Sequence, residues 1–233
     1  MKRILIIAGI TAGCVLIAAG FLFFRSTAEG PVLSAAPAPV IDVAGLKAKA
    51  RQGDPQAQTQ LGKAFAQGEG VARDYKQAAH WYGQAASNGN VEAEAMLGEL
   101  CQAGQGVERN LAKAVQLFAH AAEAGSVAAQ YDLAYLYEQG RGVPKDEKLA
   151  AKWYRLASEA GDPAAQYDYG QRCVLGVGVA KDPVEGLKWL LVAQSRKQSG
   201  AREKVASVES TLDRAQIEEA RRRAAAFVPR SPL

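Results

Sequence analysis

Histidine is the side chain that proteins use most often for acid–base catalysis and metal binding, and this sequence contains only His80 and His120. No cysteine or acid stands near either histidine at a spacing typical of metal ligands. The chain also has no Gly-x-Ser-x-Gly motif, and no Ser/His/Asp or Cys/His set is suggested. The sequence therefore predicts no catalytic residue, no metal site, no cofactor and no enzymatic activity.

The glycines of Gly68-x-Gly70 resemble part of a phosphate-binding loop, because such loops use glycine to bring the backbone close to a phosphate. The third glycine of that motif is missing, and no strand is predicted before it. We interpret these residues as glycines of a turn between two helices.

The same residue types recur every 36 positions, which indicates four tandem units. Three of the recurring sets are Gly68, Gly104, Gly140 and Gly176; Gly70, Gly106, Gly142 and Gly178; and Trp81, Leu117, Trp153 and Trp189. Alanine, the best helix former, is abundant, while the β-branched and aromatic residues that strands favour are sparse. We therefore expect an all-α protein built from repeats.

Each unit contains the start and stop residues of two helices. In the first unit, Asp54 is a good N-cap for one helix, and Gly68 can end that helix in a left-handed conformation. Asp74 then begins a second helix that Gly89 ends. Acids followed three residues later by Gln or Glu predict reciprocal capping boxes. The predicted boxes are Asp74 with Gln77, Asp182 with Glu185, and Asp213 with Gln216.

The repeated pattern resembles the Sel-1-like repeat family, a relative of the tetratricopeptide repeats. The first unit carries the family pattern as Leu61-Gly62, Phe65, Gly68, Gly70-Val71, Asp74, Ala78, Trp81-Tyr82, Ala85-Ala86 and Gly89. The match covers about residues 54 to 197, with departures at Ala134 and Lys197, each of which replaces a glycine. The resemblance implies a right-handed α-solenoid of helix-turn-helix repeats that binds proteins without catalysing a reaction.

These patterns divide the chain into an anchor or signal sequence, a linker, a repeat array and its caps. The predicted boundaries are an anchor or signal sequence over residues 1–25, a Pro/Ala-rich linker over 26–41, a half-repeat helix over 42–53, four repeats within 54–197 (54–89, 90–125, 126–161 and 162–197), C-terminal capping helices over 198–228 and a tail over 229–233.

Cys101 and Cys173 occupy one repeat position, two units apart. Helices pack about 8–10 Å apart, so equivalent positions two units away lie beyond the Cα separation of about 7 Å that a disulfide allows. We expect both cysteines to remain unpaired in the core. Some relatives use paired cysteines within each repeat, and some of those bind or hydrolyse β-lactams. This chain lacks that pattern, which argues against that subgroup.

In solenoids of this type the first helix of each unit lines the concave side. Side chains between its buried positions should face that groove, where aromatic and charged groups can contact an extended segment or a helix. The predicted protein-binding residues are Lys63, Glu99, Tyr131, Asp132, Tyr135, Tyr167, Asp168, Gln171 and Arg172. For Tyr131 and Tyr167 an alternative remains open. The recurrence of tyrosine here is partly a feature of the family pattern, so these side chains can instead pack between units.

The amino terminus predicts a membrane span. Residues 4–24 carry no charge, and as a helix they extend about 31 Å, which matches a hydrocarbon core of about 30 Å. Lys2 and Arg3 precede this stretch and Arg25 follows it, so the positive-inside rule places the N-terminus in the cytoplasm and the repeats outside. Three of the four net positive charges lie here, so the basic isoelectric point does not indicate nucleic-acid binding. We expect a bacterial inner-membrane protein with periplasmic repeats.

Two processing events remain as alternatives to a retained anchor. Ser26-Thr27-Ala28 has the form of a signal-peptidase site, and cleavage there would release a periplasmic or secreted protein. Small residues also precede Cys14, as in a bacterial lipoprotein.

Taken together, these patterns predict a membrane-tethered, periplasm-facing adaptor or scaffold that holds one or more proteins in its groove. The alternatives are a secreted effector or inhibitor and a β-lactam-binding envelope hydrolase.

Overall fold

The repeated cap residues begin helices at the predicted positions. In the computed structural model, which describes residues 41–230, Asp54, Asn90, Ser126 and Asp162 each accept a hydrogen bond from a backbone N–H of the following first turn. The described residues form eleven helices and no strand. The helices are α1 (Val43–Arg51), α2 (Pro55–Gln67), α3 (Tyr75–Ser87), α4 (Val91–Ala103), α5 (Leu111–Glu123), α6 (Val127–Gln139), α7 (Glu147–Glu159), α8 (Pro163–Leu175), α9 (Pro183–Ser195), α10 (Ala201–Glu209) and α11 (Arg214–Ala225).

Each unit is a helical hairpin, and the hairpins stack in chain order. The first helices α2, α4, α6 and α8 pack against the second helices α3, α5, α7 and α9 of their own units. Each second helix from α3 to α7 also packs against the first helix of the next unit. The result is an all-helical solenoid, as the sequence predicts.

Aromatic residues of the second helices fill the shared core. Tyr82, Phe118 and Tyr154 are each at most 2% exposed, and they belong to one apolar cluster that runs from α3 to α9. Burying a side chain of this size stabilises the fold by about 1.5–3 kcal/mol. Since this cluster continues from one unit into the next, the array depends on stacking.

Both ends of the array are covered by additional helices. At the N-terminal end α1 packs on α2, where Ala50, Ala57 and Leu61 form a small core. At the C-terminal end α10 and α11 both pack on α9. There a second small core contains Leu187, Leu190, Val205, Val208 and Ala220. The closing helices end at Glu209 and Ala225, within the range 198–228 predicted for them.

The predicted capping boxes are formed only in part. Asp213 and Gln216 make both reciprocal hydrogen bonds at the start of α11. Asp74 and Asp182 cap α3 and α9 through their own carboxylates, but the return bonds from Gln77 and Glu185 are not formed. At Glu185 the reason is electrostatic, because its carboxylate pairs instead with Lys188 and Arg223.

The loop after each first helix packs closely on the preceding unit. Glycines with positive φ lie at Gly106, Gly142 and Gly178, where an added Cβ would meet the backbone of the first residue of α3, α5 or α7. This close approach explains why glycine recurs at this position every 36 residues.

Within residues 41–230, no helix has the length and apolar character that crossing a membrane requires. The predicted span over residues 4–24, both predicted processing positions and nearly all of the predicted linker over 26–41 lie outside the described residues, as do residues 231–233 of the predicted tail.

Candidate protein-binding surface

All nine predicted binding residues lie on the first helices of the units. Lys63 lies on α2, Glu99 on α4, Tyr131, Asp132 and Tyr135 on α6, and Tyr167, Asp168, Gln171 and Arg172 on α8. We use the name first-helix face for the surface of α2, α4, α6 and α8 that carries Lys63, Glu99, Asp132, Tyr135, Asp168, Gln171 and Leu175.

Polar side chains connect neighbouring first helices across this face. The Lys63 Nζ atom lies 2.5 Å from Glu92 Oε1, which joins α2 to α4. The Tyr131 hydroxyl donates to Asp168 Oδ2 over 3.0 Å, which joins α6 to α8. Burial, together with the negative charge of Asp168, raises the pKa of the Tyr131 hydroxyl, so this group remains a donor. Tyr131 therefore packs and bonds between units, as the alternative interpretation of the sequence allows.

Arg172 is buried, which differs from its predicted place in an open groove. Its side chain is 5% exposed, and its guanidinium pairs with Glu138 and with Glu147, the latter at 2.7 Å. The guanidinium also lies over the Tyr154 ring, 5.0 Å from the ring centroid. Because the planar guanidinium can donate to two carboxylates at once, it holds α6, α7 and α8 together. The hydrogen bond from Arg172 lowers the pKa of the Glu147 carboxyl.

Tyr167 faces the C-terminal cap. It is half-buried against the core formed by α9, α10 and α11, and a Cβ added at Gly200 would lie 3.3 Å from its hydroxyl. The equivalent tyrosines of two successive units thus have different neighbours.

In the part of the chain that the structure describes, the other four predicted residues do not form such bonds. Among residues 41–230, no side-chain hydrogen bond or ion pair involves Glu99, Asp132, Tyr135 or Gln171. Burial raises the pKa of the Asp132 carboxyl to about 7, and the charges of Glu99 and Asp162 add to this effect. Burial also raises the pKa of the Glu99 carboxyl, and neither Glu99 nor Asp132 forms an ion pair with a described cation.

A pocket of about 340 Å³ opens at the α8 end of the first-helix face. Three of the predicted residues line it: Asp168, Gln171 and Arg172. Sequence reasoning missed Glu138, Lys145, Glu147 and Leu175, which also line it. Of these four, only Leu175 could have been found from the sequence, because a large apolar residue stands there where the other units have Gln67, Ala103 and Gln139. Its exposed fraction is 62%.

The two described cysteines lie in the core, and both histidines are exposed. Cys101 and Cys173 are unpaired and buried, as predicted, and burial raises the pKa of the Cys173 thiol to about 11. His120 is exposed, and its Nδ1 lies 2.6 Å from the Glu94 carboxylate. Within the described part of the chain, no group of three or more His, Cys, Asp or Glu residues is placed to hold a metal ion.

Stacked helical hairpins with a polar first-helix face define a class of α-solenoid repeat proteins. The Sel1 repeat model matches residues 55–90, 91–126, 127–162 and 163–193, and the chain belongs to the Sel1 repeat family. Proteins of this family generally mediate protein–protein interactions.

Two solved structures have the same architecture. A Sel1 repeat protein from Oxalobacter formigenes is 30% identical with a TM-score of 0.65, over 75% of this chain and 71% of that chain. The protein c5321, a protective antigen of uropathogenic Escherichia coli strains that displays an SLR fold, is 29% identical with a TM-score of 0.55. That alignment covers 79% of this chain and 48% of that chain. Among curated proteins, none matches the sequence significantly.

Proposed function

We propose that this protein is a non-enzymatic adaptor that is tethered to the bacterial inner membrane and binds partner proteins in the periplasm through its first-helix face. The observation that carries the proposal is a set of side chains on that face without hydrogen bonds or ion pairs among the described residues, and one of these side chains lines a pocket with an exposed leucine. The set is Glu99, Asp132, Tyr135 and Gln171, and Gln171 is the one that lines the pocket. A surface of half-buried aromatic, amide and acidic groups is suited to hold a polypeptide.

Site-specific crosslinking in cells tests the binding surface. A photo-crosslinking amino acid replaces Gln171 on α8 in one variant and Gln116, an exposed glutamine on the second helix α5, in the matched control. We expect a discrete crosslinked species from position 171 that position 116 does not give. Equal crosslinking at both positions would place the binding surface elsewhere.

A substitution pair completes this test. Tyr135→Ala combined with Asp168→Asn should abolish the crosslink from position 171 while helical content and melting temperature stay close to wild type. Asparagine is chosen at position 168 because its side-chain oxygen still accepts the Tyr131 hydroxyl bond. Loss of folding in this variant would mean that these side chains serve packing.

Membrane tethering rests on the uncharged stretch of residues 4–24 and the basic residues on both sides of it. A phosphatase that is active only in the periplasm, fused after Leu233, should be active and remain in the membrane fraction after carbonate extraction. The mass of the mature amino terminus distinguishes a retained anchor from cleavage after Ala28 or lipidation at Cys14. An inactive fusion would contradict the proposed orientation.

A further inference from the structure

Two acids of the first-helix face, Glu99 and Asp132, differ from the acids around them in having no ion-pair partner among the described residues. Glu92, Glu138 and Glu147 on or beside the first helices are each paired with a lysine or arginine. Within residues 41–230, no ion pair includes Glu99 or Asp132, and Asp168 accepts only the hydroxyl of Tyr131. Glu99 on α4 and Asp132 on α6 thus have no described ion-pair partner, whereas Asp168 on α8 accepts the Tyr131 hydroxyl and interacts with the charge of Arg172.

The surroundings of Asp132 favour the approach of a positive charge. Asp132 is half-buried, and the nearby charges of Glu99 and Asp162 oppose its ionisation. A lysine or arginine that approaches Asp132 would offset this repulsion and form charge-assisted hydrogen bonds with the carboxyl groups on this face. An acidic or phosphorylated segment would add to the repulsion.

The apolar part of the same surface lies beside Leu175. This side chain is 62% exposed and borders the pocket that Asp168 and Gln171 also line. Asp168 and Leu175 are seven residues apart on α8, which corresponds to about 10 Å along the helix axis. An extended polypeptide covers this distance in about three residues.

Together, these features define the chemistry of an occupant. We propose that the first-helix face binds an extended segment of a partner protein in which a lysine or arginine contacts Asp132 and Asp168, and an apolar side chain about three residues away packs on Leu175. This inference rests on the proposed adaptor function and specifies the partner that the face selects.

Selection from random peptides on the purified full-length chain in detergent tests the inference. Phage-displayed twelve-residue peptides should be enriched in sequences with Lys or Arg about three positions from Leu, Ile, Phe or Met. The dominant peptide, made with a fluorescent label, is then titrated against the protein by anisotropy. Its affinity should fall with added salt and rise from about pH 5.5 to about pH 8, as Asp132 becomes ionised.

Charge-neutral variants provide the matched comparison. Asp132→Asn with Asp168→Asn should weaken binding of the peptide about tenfold or more. Glu108→Gln with Glu203→Gln removes the same two charges from exposed positions off this face and should leave the affinity within about twofold. Equal affinities for both double variants would overturn the inference.

The two proposals fail in different ways. If neutral or acidic peptides are enriched and their binding is lost in Tyr135→Ala, the face binds polypeptides, but the basic partner is wrong. If no peptide is enriched, or if the enriched peptides bind every variant equally, both the basic partner and the binding role of this face are wrong.

Discussion

Asp132 places a carboxyl group in surroundings that oppose its ionisation. Its folded-state pKa of about 7 lies above the ordinary value near 4, so the folded protein holds a proton that the unfolded chain releases between these values. Stability from this group is therefore present at low pH and is lost as pH rises toward about 7. The charge at Asp132 lowers the free energy of unfolding at neutral pH, which is consistent with a binding role.

Asp132→Asn should consequently stabilise the protein above neutral pH. We expect the free energy of unfolding in urea to rise by at least about 1 kcal/mol at about pH 8, since one pKa unit corresponds to about 1.4 kcal/mol. The gain should shrink toward about pH 4, where the wild-type carboxyl is protonated in the folded state. Glu203→Gln, which removes an exposed acid, is the control and should change little at either pH. A loss of stability in Asp132→Asn at pH 8 would show that the carboxylate has a stabilising partner.

The Glu94–His120 pair should make stability depend on pH. The hydrogen bond to Glu94 and the negative charge of Glu94 raise the pKa of the His120 imidazole. The stabilising contribution is then complete below the unfolded value near 6.5 and is lost as pH rises through the higher folded-state value. His120→Gln should lower the melting temperature more at about pH 5.5 than at about pH 8.5.

His80→Gln is the matched control for this prediction. The His80 ring packs edge-on against Trp81, with 5.2 Å between ring centroids, and no acid is hydrogen-bonded to it among residues 41–230. The pH dependence of the His120→Gln effect is therefore compared with that of His80→Gln, which removes an imidazole without a hydrogen-bonded acid in this range. A His120→Gln effect that does not vary with pH would mean that the pair contributes as a neutral hydrogen bond.

At the scale of the helices, a glycine follows the second helix in the first three units, but not in the fourth. The second helices α3, α5 and α7 are followed by Gly89, Gly125 and Gly161, all at positive φ. After α9 the same position is Lys197, which adopts φ 61° although it has a side chain. The turn therefore forms without glycine, and the left-handed backbone conformation of Lys197 costs about 1 kcal/mol of folding free energy.

Exchanging the two residue types should show this cost directly. We expect Lys197→Gly to raise the free energy of unfolding by about 0.5–1 kcal/mol, after allowing for the greater freedom of glycine in the unfolded chain. Gly89→Lys should lower it by a similar amount, because nothing lies within 4 Å of an added Cβ there and only the backbone conformation is strained. Urea denaturation followed by circular dichroism measures both. A Lys197→Gly variant that is no more stable than wild type would mean that the lysine stem stabilises this turn.

The helices could be predicted from the sequence, but the ion pairs of the candidate surface could not. Caps such as Asp54 act on residues three positions away, so local spacing is sufficient to predict them. Arg172 occupies a position where the earlier units have Ala64, Leu100 and Leu136, and its partner Glu138 lies 34 residues away. Only the stacking of α6, α7 and α8 brings these groups together. A repeat period predicts which residues share a face, but it does not predict which charges on that face neutralise one another.

At the scale of the whole molecule, stability depends on how the units stack. The junctions are not identical, since Lys63–Glu92 connects α2 to α4, whereas Arg172 joins three helices of the last two units. The loop glycines are common to all the junctions between units. In arrays of this kind each unit interacts mainly with its neighbours, so damage at one junction should separate the parts on either side of it.

Gly178→Ala tests this dependence at the junction between the third and fourth units. A methyl group there would overlap the backbone carbonyl of Glu147, and φ at this position is 73°. Gly89→Ala is the control, because φ is similar and nothing lies within 4 Å of the added Cβ. The control should lose about 0.5–1 kcal/mol from its backbone conformation alone, and Gly178→Ala should lose about 2 kcal/mol more. Hydrogen exchange should then show α8 to α11 opening while α2 to α5 remain protected, since the loss lies at the junction between these groups. Uniform loss of protection along the array would mean that the four units unfold as one cooperative body.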